Sequence, residues 1–353
     1  MKKLVILIFG IAAFSLLSSC EKWRTGDEME ITFTAETFVP QVETRAHLFE
    51  NMESFKTLAL AGGAGGYGGY FHVDAYYTDN HHPSPYLLID SDLLYYEDGG
   101  SWRFYEPPQQ GQQSGKFLTY YWPNNDDNYK LHFFAYAPRY AAGYSRDKLY
   151  QSYVSVDNTL FPPAFTVNLP VEGAANNELV EFMYAYTPNQ TKGSNPVNLE
   201  FQHPFAAISF NLTQARVGLE IEELGFREMY RRGKYSKNDE NNLWSVKSWV
   251  ARDTASLSIK NISTSVGQLG GTYLVLPQSK DRDGFVFYIK YLLDEDNDGV
   301  KDTHYRTASI GMDWEPGKKY TYNLDLGSSL DGVYFTVSVD PWDKIYDHII
   351  PIE

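Results

Sequence analysis

Four aspartates stand close together late in this chain, Asp294, Asp296, Asp298 and Asp302, with Gly299 among them. A calcium loop gathers its oxygen ligands around a tight turn in this way, and these residues fill loop positions 1, 3, 5 and 9 with glycine at 6. Position 12, the usual place of a bidentate acid, is Tyr305. The flanks, residues 285–293 and 305–310, alternate as strands do, so the segment reads as a hairpin tip rather than a loop between two helices. Two readings fit it, a solvated acidic tip and a weak calcium site. No other cofactor is expected.

Cys20 is the only cysteine. Lys2 and Lys3 lead into an apolar run from Leu4 to Leu17, and Leu17-Ser18-Ser19-Cys20 closes it. That is the layout of a bacterial lipoprotein signal, with residues 1–19 removed and residues 20–29 left as a lipidated tether. The thiol is alkylated with diacylglycerol, and the amino group freed by cleavage can take a further acyl chain. Each buried methylene adds about 0.8 kcal/mol, so several chains on one residue anchor stably. As a membrane span the run is short, and it meets polar Glu21 and Lys22 at once. With Cys20 acylated, no thiol is left for catalysis, metal binding or a disulfide.

The remaining chemical motifs carry less. Gly63-Ala-Gly65-Gly-Tyr-Gly68 fits the dinucleotide pattern, but that pattern needs a following helix, and Tyr70 to Tyr77 reads as strand. His81 and His82, with His72 and Asp74 near in sequence, could ligate zinc, yet Pro83 and Pro85 mark an exposed loop. Asp253-Thr254-Ala255 resembles a short bacterial O-glycosylation signal on Thr254. Neither a G-x-S-x-G elbow nor an H-E-x-x-H pair occurs, and no enzyme activity is expected. Removing residues 1–19 takes away two lysines and no acids, so the formal charge moves from −15 to −17. That balance argues against nucleic acid and against a polybasic hold on anionic lipid.

The elements that would position these residues are strands. The chain holds 28 Tyr, 21 Phe and 7 Trp, residues that favour strands and fill sandwich cores. Two-residue alternation predicts a first series at 30–38, 55–61, 70–77, 102–105, 131–137 and 180–186. A second series follows at 197–202, 206–213, 255–259, 272–276, 285–293, 305–310, 320–326 and 333–339. Short helices fit only at 48–55 and 145–151. Residues 187–196 have the composition of a linker. Many short strands between turn signals make the chain all-β, built from sandwiches.

With the strands laid out, several dispersed pieces resemble the fimbrillin family of lipoprotein-derived pilins and pilus anchors. Tyr121-Trp122-Pro123 precedes Leu131-His-Phe-Phe-Ala-Tyr-Ala-Pro138. Phe182-Met-Tyr-Ala185 is followed by Val197-Asn-Leu-Glu-Phe-Gln-His203-Pro-Phe-Ala206. Leu276-Pro277-Gln278, Trp314-Glu-Pro-Gly317-Lys-Lys-Tyr320-Thr-Tyr322 and Val337-Ser-Val339-Asp-Pro-Trp342 continue the resemblance in the family's order. The same pieces make local sense. Pro316-Gly317 turns the chain into an alternating strand, His203 before Pro204 sits at a strand interruption, and the tryptophans read as core anchors.

The resemblance implies two transthyretin-like β-sandwich domains in tandem, residues 30–190 and 191–353. It also implies assembly by strand exchange. A first strand is removed by an arginine-specific protease, and a neighbouring subunit's strand fills the groove. Here the removable strand is 30–38, Arg45 precedes the cut and Ala46 becomes the new terminus. Anchor subunits keep both lipid and first strand, so stalk subunit and anchor stay open. The expected protein is a lipid-anchored fimbrial component of the cell outer membrane. Its partners are other fimbrial subunits, through strand addition, and a host or bacterial surface ligand. The alternative is a surface lipoprotein that binds glycans on Tyr and Trp platforms.

Overall fold

The computed structural model of the protein describes residues 29–36, 70–80, 83–97, 101–106, 115–123, 128–137, 154–169, 181–237, 244–249, 252, 253, 257–260, 262, 265–279, 286–309, 311–327 and 334–341. Outside them lie Cys20, Arg45, Ala46, Gly63 to Gly68, His81, His82, Thr254 and Trp342, with the expected strand at 55–61 and both expected helices. Among the described residues there is no α-helix, and the chain is built from β-sheets.

The strands run in this order: β1 (Phe33–Glu36), β2 (Tyr70–Thr78), β3 (Tyr86–Glu97), β4 (Ser101–Glu106), β5 (Lys116–Phe117), β6 (Lys130–Ala137), β7 (Val154–Asp157), β8 (Ala164–Asn168), β9 (Met183–Gln190) and β10 (Val197–Glu200). They continue with β11 (Ala206–Ala215), β12 (Glu220–Arg227), β13 (Met229–Tyr230), β14 (Arg232–Lys237), β15 (Trp244–Trp249), β16 (Arg252–Asp253) and β17 (Leu257–Lys260). The last are β18 (Gly267–Val275), β19 (Val286–Leu293), β20 (Asp302–Ser309), β21 (Lys318–Leu326) and β22 (Tyr334–Pro341).

The largest sheet has the order β10-β1-β4-β3-β2-β6-β9, with β5 added on β4. It curls on itself. Phe33 of β1 meets Phe133 of β6 at 5.3 Å between ring centroids, although three strands separate β1 from β6. The two ends of the sheet also approach, since Thr187 of β9 donates to the Asn198 carbonyl of β10 at 2.9 Å. Phe71, Phe104, Phe133, Trp102 and Trp122 fill the inside. A second sheet, β15-β14-β8-β7, presents Phe165 and Tyr235 to the same core. These two rings stack at 4.8 Å, and Phe165 reaches Tyr184 of the large sheet at 5.5 Å.

Downstream, β18-β11-β21-β22 faces β17-β12-β19-β20 across a separate core. Strand β21 shows why the pattern folds this way. Tyr320, Tyr322, Leu324 and Leu326 are buried, and the residues between them lie nearer the surface. Phe226 packs edge-on against Tyr322 at 5.1 Å and Trp314 at 4.9 Å. The Trp314 indole donates to the Tyr322 hydroxyl at 2.8 Å, satisfying a buried donor that would otherwise be costly. Gly317, at φ +67°, takes the left-handed turn that starts β21, where glycine pays no steric penalty.

Two differences from the sequence reading are instructive. Val197–Glu200 heads the expected second series, but as β10 it joins the first sheet, parallel to β1 from Phe33↔Val197 to Glu36↔Glu200. Strands β3, β5, β7, β8, β12, β13, β14, β15 and β16 have no counterpart in the expected list. In β3, Asp90-Ser91-Asp92 imitates a turn, yet the strand continues through it. Register shifts against β2 near Ala75 interrupt the ladder and spoil the alternation. In β12, Glu220-Ile-Glu-Glu-Leu-Gly-Phe-Arg227 carries a bulge at Glu222, which breaks its two-residue period.

Candidate strand-addition site

The N-terminal segment 29–36 is threaded between two parts of the large sheet. The Ile31 amide donates to the Tyr120 carbonyl at 2.8 Å, and the Trp122 amide donates to the Met29 carbonyl at 3.0 Å. Beyond Thr32 the segment changes partners. It pairs with β10 over four residues and with β4 at one position, Phe33↔Trp102. Asn195, in the turn before β10, joins the two halves of this arrangement. Its side-chain oxygen accepts from the Thr32 amide at 2.9 Å, and its Nδ2 donates to the Glu30 carbonyl at 3.0 Å.

Alternation does the rest. Ile31, Phe33 and Ala35 point inward and are buried, whereas Thr34 is exposed and bonds Asn198 at 3.1 Å. Phe33 sits edge-on between Phe104 (5.4 Å) and Phe133 (5.3 Å). Burying Ile31 and Phe33 contributes about 5 kcal/mol by apolar area alone. Its hydrogen bonds to the backbone, Asn195 and Asn198 all engage neutral groups. Chemically, this is a strand held by ladder bonds and alternate side-chain pockets, the requirements of strand addition. The sequence gives the 30–38 strand by its alternation. It does not give β10, Asn195 or Tyr120 as partners, because each lies far away in the chain.

The acidic tip joins β19 to β20. Asp294, Asp296 and Asp298 each bring a carboxylate oxygen within 4.8 Å of the others. Asp302 is the first residue of β20, paired with Leu293, and falls outside that group. The three acids also close the turn themselves. Asp294 accepts from the Gly299 amide at 2.9 Å, and Asp298 accepts from the Val300 amide at 2.7 Å.

Other singled-out residues have structural places. His72 stacks on Tyr136 at 4.6 Å, and Asp74 is fully buried and accepts from Asn158 at 3.2 Å. His203 is hydrogen-bonded through Nδ1 to the buried Glu181. Sequence reasoning missed Glu223 on the outer face of β12. Its carboxylate accepts from Ser258 Oγ at 2.6 Å and Tyr288 OH at 2.7 Å. Burial alone would raise the Glu223 pKa. These two hydrogen bonds and the charges of Lys260 and Arg227 outweigh it and hold the group below its ordinary value. Among the described residues no helix is long and apolar enough to cross a membrane.

The fold and the threaded first strand together define a class: an all-β sandwich-type protein with an N-terminal strand laid into a curled sheet. The chain belongs to the fimbrillin-like family, whose model matches residues 103–342. Its fold is similar to that of a fimbrial protein from Bacteroides vulgatus, at 15% identity and a TM-score of 0.56, covering 88% of this chain and 99% of that one. A fimbrial assembly protein from Parabacteroides distasonis matches at 10% identity with a TM-score of 0.43, over 92% of this chain and 100% of that one. No curated protein matches the chain. The family gives the coarse function, that of a fimbrial, cell-surface protein associating with other fimbrial subunits.

Proposed function

We propose that the protein is a lipid-anchored fimbrial subunit or anchor that polymerises by exchanging its first strand, and that it is not an enzyme. The observation that supports this most is the seating of residues 29–36. Four backbone pairs hold β1 to β10, a single pair holds it to β4, and its apolar side chains fill the curled sheet. Removal of the segment would leave an apolar groove with unpaired ladder groups, and such a groove is filled most favourably by another alternating strand. The cut would fall after Arg45, and lipid on Cys20 would hold uncut chains at the outer membrane.

The test is intact-mass and N-terminal analysis of protein taken from cell surfaces, beside an unboiled gel. A start at Ala46 with a detergent-resistant ladder is the outcome expected of a stalk subunit. An acylated Cys20 start in a chain that caps added stalk polymer is the outcome expected of an anchor. A Cys20 start with neither ladder nor capping rejects strand exchange.

A further inference from the structure

On the large sheet, the end of β2 and the start of β6 meet the turn that links β7 to β8. Between them lies a solvent-open pocket of about 470 Å³. That is within the ordinary range for small-ligand sites. Its lining includes Phe161, which is 37% exposed although packed against three rings. His132 lies at 5.1 Å, Tyr76 at 5.2 Å and Tyr186 at 6.4 Å from it, ring centroid to ring centroid. The turn itself is pinned, since the Tyr76 hydroxyl donates to the Asn158 carbonyl at 2.6 Å.

The rest of the lining is mostly polar and of mixed sign: Asp79, Asn80, Asn128 and Lys130, with Thr78, Pro83 and Pro85. Asp79 is oriented by the Tyr77 hydroxyl at 2.9 Å, and His132 in the floor is fixed between Thr78 Oγ1 at 2.9 Å and the Asn189 amide at 3.2 Å. A carboxylate, two amides and one ammonium offer both donors and acceptors without net positive charge. That set suits a neutral polyhydroxyl compound better than a phosphate or nucleotide. A pyranose has the matching shape, with a ring of hydroxyls at its edge and an apolar C–H face to lay on an aromatic ring. The rigid setting of Phe161, Asp79 and His132 limits the ordering cost of binding.

We propose that this pocket binds one pyranose unit of a cell-surface glycan. The proposal deepens the adhesive side of the fimbrial reading and rests on it for the source of the glycan, though the pocket chemistry stands without it. Saturation-transfer NMR on the mature chain, with the methyl glycosides of glucose, galactose, mannose and N-acetylglucosamine, tests it. Transfer to the ring protons of at least one glycoside is expected. Phe161→Ala and, separately, Asn128→Ala should each weaken it about tenfold, measured by titration. Both residues are surface-exposed, so the folded far-ultraviolet spectrum should persist. Absence of transfer from all four glycosides, or undiminished binding in both variants, overturns the proposal. The polymer ladder run on the same variants keeps the two ideas apart. A ladder or capping without sugar binding defeats the pocket alone, and sugar binding with neither ladder nor capping defeats strand exchange alone.

Discussion

Phe33→Ala puts the role of the first strand to a quantitative test. The side chain is 3% exposed and wedged between Phe104 and Phe133. Losing a buried phenylalanine's transfer free energy costs about 3 kcal/mol. Two edge-to-face contacts add on the order of 1 kcal/mol. The sum, about 4 kcal/mol, lies inside the usual range for Phe→Ala in a core. Thr34→Ala is the matched control, on the same strand but exposed, and should cost less than about 1 kcal/mol. Urea unfolding followed by intrinsic fluorescence reads both. A Phe33→Ala loss below about 1 kcal/mol, or one equal to that of Thr34→Ala, would refute the inward seating of β1. If strand exchange operates, a ten-residue peptide copying residues 29–38 should also bind cleaved protein, and its Phe33→Ala version should bind far more weakly.

Gly225→Ala should be severe, because an added Cβ would stand 1.7 Å from the Leu257 carbonyl oxygen. A loss of about 3 kcal/mol or failure to fold is expected by thermal melting, and an unchanged melting point would contradict the β12–β17 pairing. Burial pushes Tyr186 and Tyr288 up to about 12, and it pushes Tyr184, Tyr320, Tyr322 and Tyr235 further. Above pH 10 the unfolded chain therefore holds fewer protons than the native one, so stability falls as pH rises. Phenolate absorbance should show these tyrosines ionising only as the circular dichroism of the fold is lost, and full titration near pH 10 with the fold intact would be the opposite result. At the acidic tip, calorimetry with calcium separates the two readings: a weak site gives heat for wild type that Asp296→Ala loses. Heat absent from both would leave the tip a solvated turn.

Local chemistry was legible in the sequence. The alternation at the start of the 30–38 stretch, the Pro316-Gly317 turn and the run into β21 depend on neighbours two to four positions apart, and the structure has β1 at Phe33–Glu36, the Gly317 turn and β21. So does the place of the acidic tip between two strands, since turn residues and strand period are short-range signals. The order of family pieces also carried the fimbrillin-like assignment. What the sequence could not determine was partnership. Nothing in Val197–Glu200 says that it will lie parallel to a strand more than 160 residues earlier, and nothing in Asn195 says that it will bridge Thr32 and Glu30. Phe161 likewise reads as one more aromatic until the β7–β8 turn folds it against β6 beside a polar wall. A strand's period fixes which side chains share a face. Which strand lies beside it is decided by the collective fit of core side chains and ladder hydrogen bonds, which exist only once the whole sheet has closed.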